Sequence, residues 1–482
     1  MRRWSTRGIV PFLLTAVLST AGLLASVSCA DDDAPAATAG ELDSLLAIDL
    51  GGEGSTSSRN QNAFSLPNRA LPGSLRGEFE VGDSFFTQKW VRAPASTDVR
   101  DGLGPLFNAE ACASCHVLDG RGTPPTEEHP DAPGLLFRLS LVDGDGPGDP
   151  GPDPILGGQL QDRALDGVPV EGRMGITYEE VEGHYDDGEP YTLLDPTYTV
   201  TEPAHGPVPD DLLISPRLAP PTIGIGLLEA VPEKTVVAAA DPDDEDGDNI
   251  SGRPNRIENS ITGELVLGRF GWKANAATAE QQTVSAFHGD IGITSPLIEG
   301  QDCTEVQQAC ADAIDGGEPE IDDDTLASVV FYTRVLAVPK RRPAEGAAGR
   351  ERQRRGAAQF AAANCSGCHT PELRTGPSDV RALGNQTIHP FTDLLLHDMG
   401  PGLADGRRDA DANGSEWRTA PLWGIGLTET INGNTRYLHD GRARSLEEAI
   451  LWHGGEAGRS RDAFKAMSAG QRRDLVAYLE TL

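Results

Sequence analysis

Apolar residues at helical spacing mark "DDDTLASVVFYTRVLAVPKRR" as an amphipathic helix, with aspartates at its N-terminus and Pro339 to stop it. The same pattern predicts a helix in "GRERQRRGAAQFAAANCSGCH" and a closing helix in "MSAGQRRDLVAYLETL", with Ser468 as its N-cap. "LGPLFNAEACASCH" is a shorter helical lead. Between these lie some 200 residues rich in Gly, Pro and Asp, in which "YTLLDPTYTV" and "LLISPRLAPPTIGIGLLEAVPE" read as short extended runs. Residues 29–62, ending in "GGEGSTSSRNQN", show no apolar periodicity and are predicted to be a flexible tether without a core. The start, "MRRWSTRGIVPFLLTAVLSTAGLLASVSCADDD", places arginines before an apolar stretch and small residues, the pattern of an export signal over residues 1–28.

Export changes how charge and cysteines are read. The formal net charge of −34 argues against nucleic acid or an anionic membrane surface as partner; a small basic redox protein steered by that charge is one reading, and acid that merely solvates the surface is the other. The protein is expected in the periplasm or at the cell surface. Cys29, after Val27 and Ser28, suits the lipidated first residue of a lipoprotein, although Ser26 stands where leucine is usual; a plain cleaved signal or an uncleaved anchor are the other readings. Arg2 and Arg3 resemble a twin-arginine signal, but the general secretory route fits a chain that takes up its cofactor unfolded. Of the seven cysteines, Cys303 and Cys310 form a pair expected to be a disulfide in an oxidising compartment, with two free buried thiols as the alternative. In a continuous helix their Cα atoms would lie about 10 Å apart, too far for a bridge, so a disulfide requires a looped segment.

The remaining four cysteines fall in "NAEACASCHVLDG" and "AANCSGCHTPEL". Each presents C-x-x-C-H: Cys112, Cys115 and His116, then Cys365, Cys368 and His369. This is the attachment signature of c-type haem, in which two thiols add to the porphyrin and the adjacent histidine binds iron. A thioredoxin-type pair would sit in a βαβ pattern, and a zinc site would leave both histidines unexplained. The separation of the motifs assigns them to two haem domains, 63–342 and 343–482, divided within "VPKRRPAEGAAGRE". Helix, motif, irregular loops and final helix predict a mainly α fold of two cytochrome c-like domains. The first would carry a long irregular insertion with short strands that wraps its haem.

From about Gln353 onward the chain resembles the second domain of bacterial di-haem cytochrome c peroxidases and the related enzyme that matures methylamine dehydrogenase. The matching pieces are "CSGCH", "FTDLLLHDMGPGLADGRR", "EWRTAPLWGIG" and "RYLHDGRARSLEEAILWHGGEA". In those relatives the helix matching "LEEAILWH" ends in the sixth ligand of the second haem, a methionine or a tyrosine. The resemblance thus points to His453 opposite His369, with Met399 as second choice, and the change from thioether to imidazole implies a lower potential. Together with "SPRLAPPTIGIGLLEAVPE", "DGDNISGRPN", "RFGWKAN" and "GDIGITSP", nearly the whole mature chain resembles the di-haem oxidoreductases, some of them labelled thiol oxidoreductases. The implied activity is an electron relay from the C-terminal haem to an N-terminal haem that reduces peroxide or a related oxidant. A non-catalytic electron carrier with both irons saturated, and an oxidative protein-modifying enzyme, are the alternatives.

Peroxide cleavage needs a distal acid/base, for which Glu229, His184, His205 and His288 are candidates that the sequence does not rank. Trp272 is a candidate relay between haems, or a core residue. "DPDDEDGDNISG" resembles a calcium loop, and the peroxidase relatives hold calcium between their haems, but the placing of Gly247 relative to Asp241 and Asp243 departs from the EF-hand.

Overall fold

The computed structural model describes residues 38–126, 129–130, 132–142 and 151–482. The predicted export signal, Cys29 and the start of the tether lie outside them. The helices that build the site are α1 (Ala39–Leu45), α2 (Arg76–Thr87), α3 (Cys112–Cys115), α4 (Asp323–Arg334), α5 (Gly346–Ala362), α6 (Leu446–Leu451), α7 (Gly458–Ala466) and α8 (Ala469–Leu479). Strands pair as antiparallel ribbons: β1 (Leu135–Leu141) with β4 (Leu212–Leu218), β2 (Arg173–His184) with β3 (Pro190–Thr201), and β5 (Leu396–Asp398) with β6 (Glu416–Arg418).

The expectation of a mainly α chain of two cytochrome c-like domains is not met. The protein is 30% helical and 18% strand, with several small sheets, so it is not mainly α, and cytochrome c-like haem domains are not shown. Residues 173–201 are the main reason. Their β-branched and aromatic side chains alternate, and the backbone satisfies its hydrogen bonds across a long hairpin, in register from Arg173 opposite Thr201 to His184 opposite Pro190. Its tip does not lie over the first motif. Tyr185 donates to Glu447 (2.7 Å), and Arg472 stacks on the Tyr185 ring while pairing with Asp187 and Glu189, so the hairpin clasps the C-terminal helices.

Residues 38–62, expected as tether, carry α1 and bury Leu45 and Leu50 completely. Arg341 holds this segment by donating to the carbonyls of Leu45 and Ala47, a long-range contact that local composition cannot signal. One apolar core runs from Leu45 to Leu482 and includes Phe86, Tyr332, Phe360 and Tyr478.

Two helix pairs inside this core repeat one construction. α2 packs on α4 through Gly82, where an added Cβ would lie 2.6 Å from Tyr332 Cβ and closer still to the Ser328 carbonyl. α5 packs on α8 through Gly356, where it would lie 2.5 Å from Tyr478 Cβ and closer still to the Asp474 carbonyl. One turn beyond each glycine a phenylalanine packs between that tyrosine and a motif histidine. Phe86 lies 5.2 Å from Tyr332 and 6.1 Å from His116; Phe360 lies 5.7 Å from Tyr478 and 6.5 Å from His369, measured between ring centroids. Ser468 caps α8 in a reciprocal box with Gln471, and Asp322 caps α4 by accepting from Thr325 N–H.

The close helix contacts require a missing side chain. Gly82→Ala and Gly356→Ala are each expected to force the helices apart and cost about 1–3 kcal/mol, the range for overpacking. Urea unfolding of each variant checks this, and a neutral alanine at either site would show that the pair can spread.

Candidate functional site

The first motif is one helical turn, α3, which His116 leaves with non-helical geometry (φ −103°, ψ 62°). His116 Nδ1 lies 2.8 Å from the Pro220 carbonyl, and the Cys115 thiol donates to the Pro133 carbonyl. A carbonyl only accepts, so the Nδ1 atom carries the hydrogen and the Nε2 lone pair is left for a ligand-binding role. Burial pushes the Cys112 thiol up to about 12, reinforced by Asp290, and pushes Cys115 up as well.

The second motif begins where α5 ends. Asn364 turns the chain with a left-handed φ of 54°, Cys365–Gly367 form a short 3-10 turn, and His369 Nδ1 meets the Phe391 carbonyl at 2.9 Å. Just past α6, His453 Nδ1 meets the Ala449 carbonyl at 2.6 Å. Both histidines line one apolar cavity together with Cys365, Cys368, Met399 and Trp272. Burial pushes His369 down to about 4, and His453 is lowered by burial too, so both imidazoles are neutral with Nε2 uncommitted. Two neutral imidazoles and two thiols on the walls of one apolar cavity suit a covalently attached haem with axial histidines.

Trp272 joins this cavity to the first motif. Its Nε1–H donates to the Leu218 carbonyl at 2.8 Å, two residues before the Pro220 carbonyl that meets His116. Trp417 also lines the cavity, stacked at 3.7 Å on His439, with Lys273 Nζ 4.6 Å from its ring centroid. Burial pushes His439 down to about 4.

The four distal acid/base candidates are dispersed. Glu229 pairs with Arg334 at 2.7 Å and accepts from the Ala279 N–H. His184 ends β2 on the surface, His205 is part-buried in the loop that follows β3, and His288 sits in a π-helical turn with Nε2 3.2 Å from the Gly300 carbonyl. Cys303 and Cys310 are joined by a disulfide with their Cα atoms 5.8 Å apart; helix occupies only Gln308–Ala311 of that segment.

In the acidic loop, carboxylate oxygens of Asp241, Asp244 and Asp246 lie within 4.8 Å of one another, while Asp243 is not in the group. The loop is tied to the second motif: Asn364 donates to Asp248 at 3.3 Å, and Ile250 lines the cavity.

Sequence reasoning missed several residues around that cavity. His397 is buried with Nε2 2.9 Å from Asp393 and Nδ1 2.7 Å from Glu456, and Glu456 also accepts the N–H groups of Ser251, Gly252 and Asp398. The available signal was Asp393 four residues before His397 in "DLLLH", since a buried histidine needs a partner. Arg121 and Arg418, also on the cavity wall, had no local signal.

A family model described as "Di-haem oxidoreductase, putative peroxidase" matches residues 47–131 and 158–482. No curated protein matches the chain. Among solved structures, hydrazine synthase of Kuenenia stuttgartiensis, pressurized with xenon, aligns at 22% identity over 37% of this chain and 63% of that one, with a TM-score of 0.24. The chain thus spans less than two thirds of that structure's length, and a likeness this weak bears on neither fold nor function.

Burial opposes charge on His397, but its hydrogen bonds to Asp393 and Glu456, with the Cys368 sulfur beside it, outweigh it and raise its pKa well above 6.5. His397→Gln strands two carboxylates and is expected to cost about 3 kcal/mol. Because the folded value is raised, the contribution is complete below about pH 6.5 and is lost as pH rises through the folded value. Denaturation of wild type and variant across neutral and alkaline pH checks this; a constant difference would show a neutral histidine.

Proposed function

Because the chain belongs to the di-haem oxidoreductase family, we propose that it is a covalent c-type member. In this reading Cys365, Cys368 and His369 would hold a haem that supplies electrons, and Cys112, Cys115 and His116 would hold one at which peroxide or a related oxidant would be reduced. The observation that carries the reading is the second cavity, in which His369 and His453 share one apolar space with Cys365 and Cys368 and each keeps its Nε2 free. A bound haem supplies an iron whose axial ligands decide whether it passes electrons or meets an oxidant.

The chain's own residues then divide the work. Cys112 and Cys115, like Cys365 and Cys368, would attach a porphyrin, and His116 and His369 would each hold its iron. His453 would be the second iron-binding residue at the second haem in preference to Met399, since its imidazole is already oriented by Ala449. Trp272 lies on the relay, hydrogen-bonded to the strand that leads to Pro220 and His116. At the first motif, part-buried Asp290 accepts from Gln159 at 2.9 Å, its backbone carbonyl accepts the N–H groups of Asn108 and Ala109 in the lead to Cys112, and desolvation raises its pKa, so we place it as the local proton holder, with Glu229, His184, His205 and His288 as the alternatives. Asp241, Asp244 and Asp246 are the candidate calcium ligands.

We place the mature protein in the periplasm or on the cell surface, lipid-anchored at Cys29. A small basic redox protein is its donor, a choice supported by the net charge of −34.

Material matured in a host competent for cytochrome assembly is expected to carry two haems by intact mass, and Cys365→Ala with Cys368→Ala to lose one. In electron paramagnetic resonance of the oxidised protein, His453→Ala is expected to convert the second iron from low to high spin. An unchanged spectrum would remove His453 as ligand, and a colourless wild type of bare-chain mass would remove the function.

A further inference from the structure

Several buried arginines face carboxylates directly: Arg217 meets Asp409 at 2.9 Å, Arg442 meets Asp440 at 2.6 Å, and Arg472 meets Asp187 at 3.0 Å. Arg341 lacks a carboxylate but spreads its guanidinium over the oxygens of Leu45, Ala47 and Thr481. Two arginines on the wall of the second cavity differ from both groups. Arg121 (7% exposed) donates from its guanidinium to the Leu438 carbonyl at 3.1 Å, and Arg418 (9% exposed) donates to the carbonyls of Gly271 and Thr419, each at 3.0 Å.

Neither arginine has a carboxylate within ion-pair distance among the described residues. Burial pushes both down to about 10. Burying a guanidinium beside neutral carbonyls costs free energy, which the Trp272 ring 5.5 Å from Arg121 offsets only in part and an anion entering the cavity with both arginines would offset further. A guanidinium's planar fork matches a carboxylate. Their origins in the chain add a second argument. Arg418 belongs to β6, in the C-terminal part, whereas Arg121 lies five residues after His116 and is held in place by Asn432, which accepts its backbone N–H at 3.0 Å. The loop of the first motif therefore delivers a cation to the cavity of the second.

We propose that Arg121 and Arg418 form a carboxylate clamp that takes the propionate groups of the haem at His369, an inference that rests on the proposed function. The clamp holds the second haem by its acidic edge, opposite in kind to the thioether edge. It also ties that haem to the segment that carries the first iron's ligand. The same chemistry fits a free small carboxylate, so the test separates the two sources.

The experiment uses the holoprotein. The midpoint of each haem is measured spectroelectrochemically, and the propionate bending modes by resonance Raman, in wild type, Arg121→Gln, Arg418→Gln and the corresponding lysine variants. Loss of a nearby cation favours the ferric state. Each glutamine variant is therefore expected to keep both haems by mass while its second haem shifts toward oxidised by on the order of tenfold at fixed potential, about 59 mV, with altered propionate modes. Lysine restores most of the shift. Should Arg121→Gln fail to assemble, Arg418→Gln and Arg121→Lys carry the test.

Unchanged potentials and propionate modes in haem-loaded glutamine variants overturn the clamp while leaving the proposed function intact. Saturable perturbation of the second haem by added acetate, present in wild type and lost in the glutamine variants, overturns the propionate assignment in favour of a free carboxylate. A wild type without haem overturns the proposed function itself, and the clamp with it.

Discussion

Two backbone contacts made possible by glycine set the positions on which the rest of the protein depends. Gly82 and Gly356 let α2 and α5 approach α4 and α8 until helix backbones touch, and that approach wedges Phe86 and Phe360 against the imidazoles of His116 and His369. A side chain with two rotatable bonds, trapped between a tyrosine and a histidine, restrains the imidazole plane from one side; a backbone carbonyl on Nδ1 restrains it from the other. Ring orientation at each motif is thus fixed by ordinary packing before any cofactor is considered.

The same construction used twice makes the differences informative. At the second motif, Tyr478 donates to a backbone carbonyl of α1, that of Leu45, and the space beyond His369 is closed by His453. At the first, the equivalent Tyr332 donates at 2.8 Å to Asp119, whose carboxyl burial pushes up to about 6. One half sets the neutral imidazoles of His369 and His453 on one cavity whose wall also carries His397, Arg121 and Arg418. The other places Asp119, Asp83 and Asp290 near its motif, and burial raises the pKa of each.

The parts of this arrangement visible in the sequence are those written in contiguous residues. The C-x-x-C-H motifs, the capped closing helix from Ser468, and the helix leading to Cys365 each depend on neighbours within a few positions. His453 was reachable because its helix belongs to a run that resembles other proteins. What stayed hidden is long-range. Arg121 reaches the second cavity from the first motif, Arg341 pins a segment that composition alone describes as tether, and the 173–201 hairpin was legible as extended chain but not in its length or destination. The mainly α expectation fails there because "YTLLDPTYTV" shows an extended run but not its partner, Arg173–His184, with which its strand forms a twelve-pair ladder.

The clasp formed by that hairpin limits how the protein can be divided. A fragment beginning at residue 343 would contain every cysteine and histidine of the second motif, yet Glu447 would lose Tyr185 and Arg472 would lose Asp187 and Glu189, all supplied from far upstream. Asp440 would likewise lose the phenol of Tyr198. The C-terminal half is consequently not a cassette that recombination could transplant. Its inner lining is contiguous in sequence, but its outer buttress is encoded elsewhere, and the two halves are obliged to travel through evolution together.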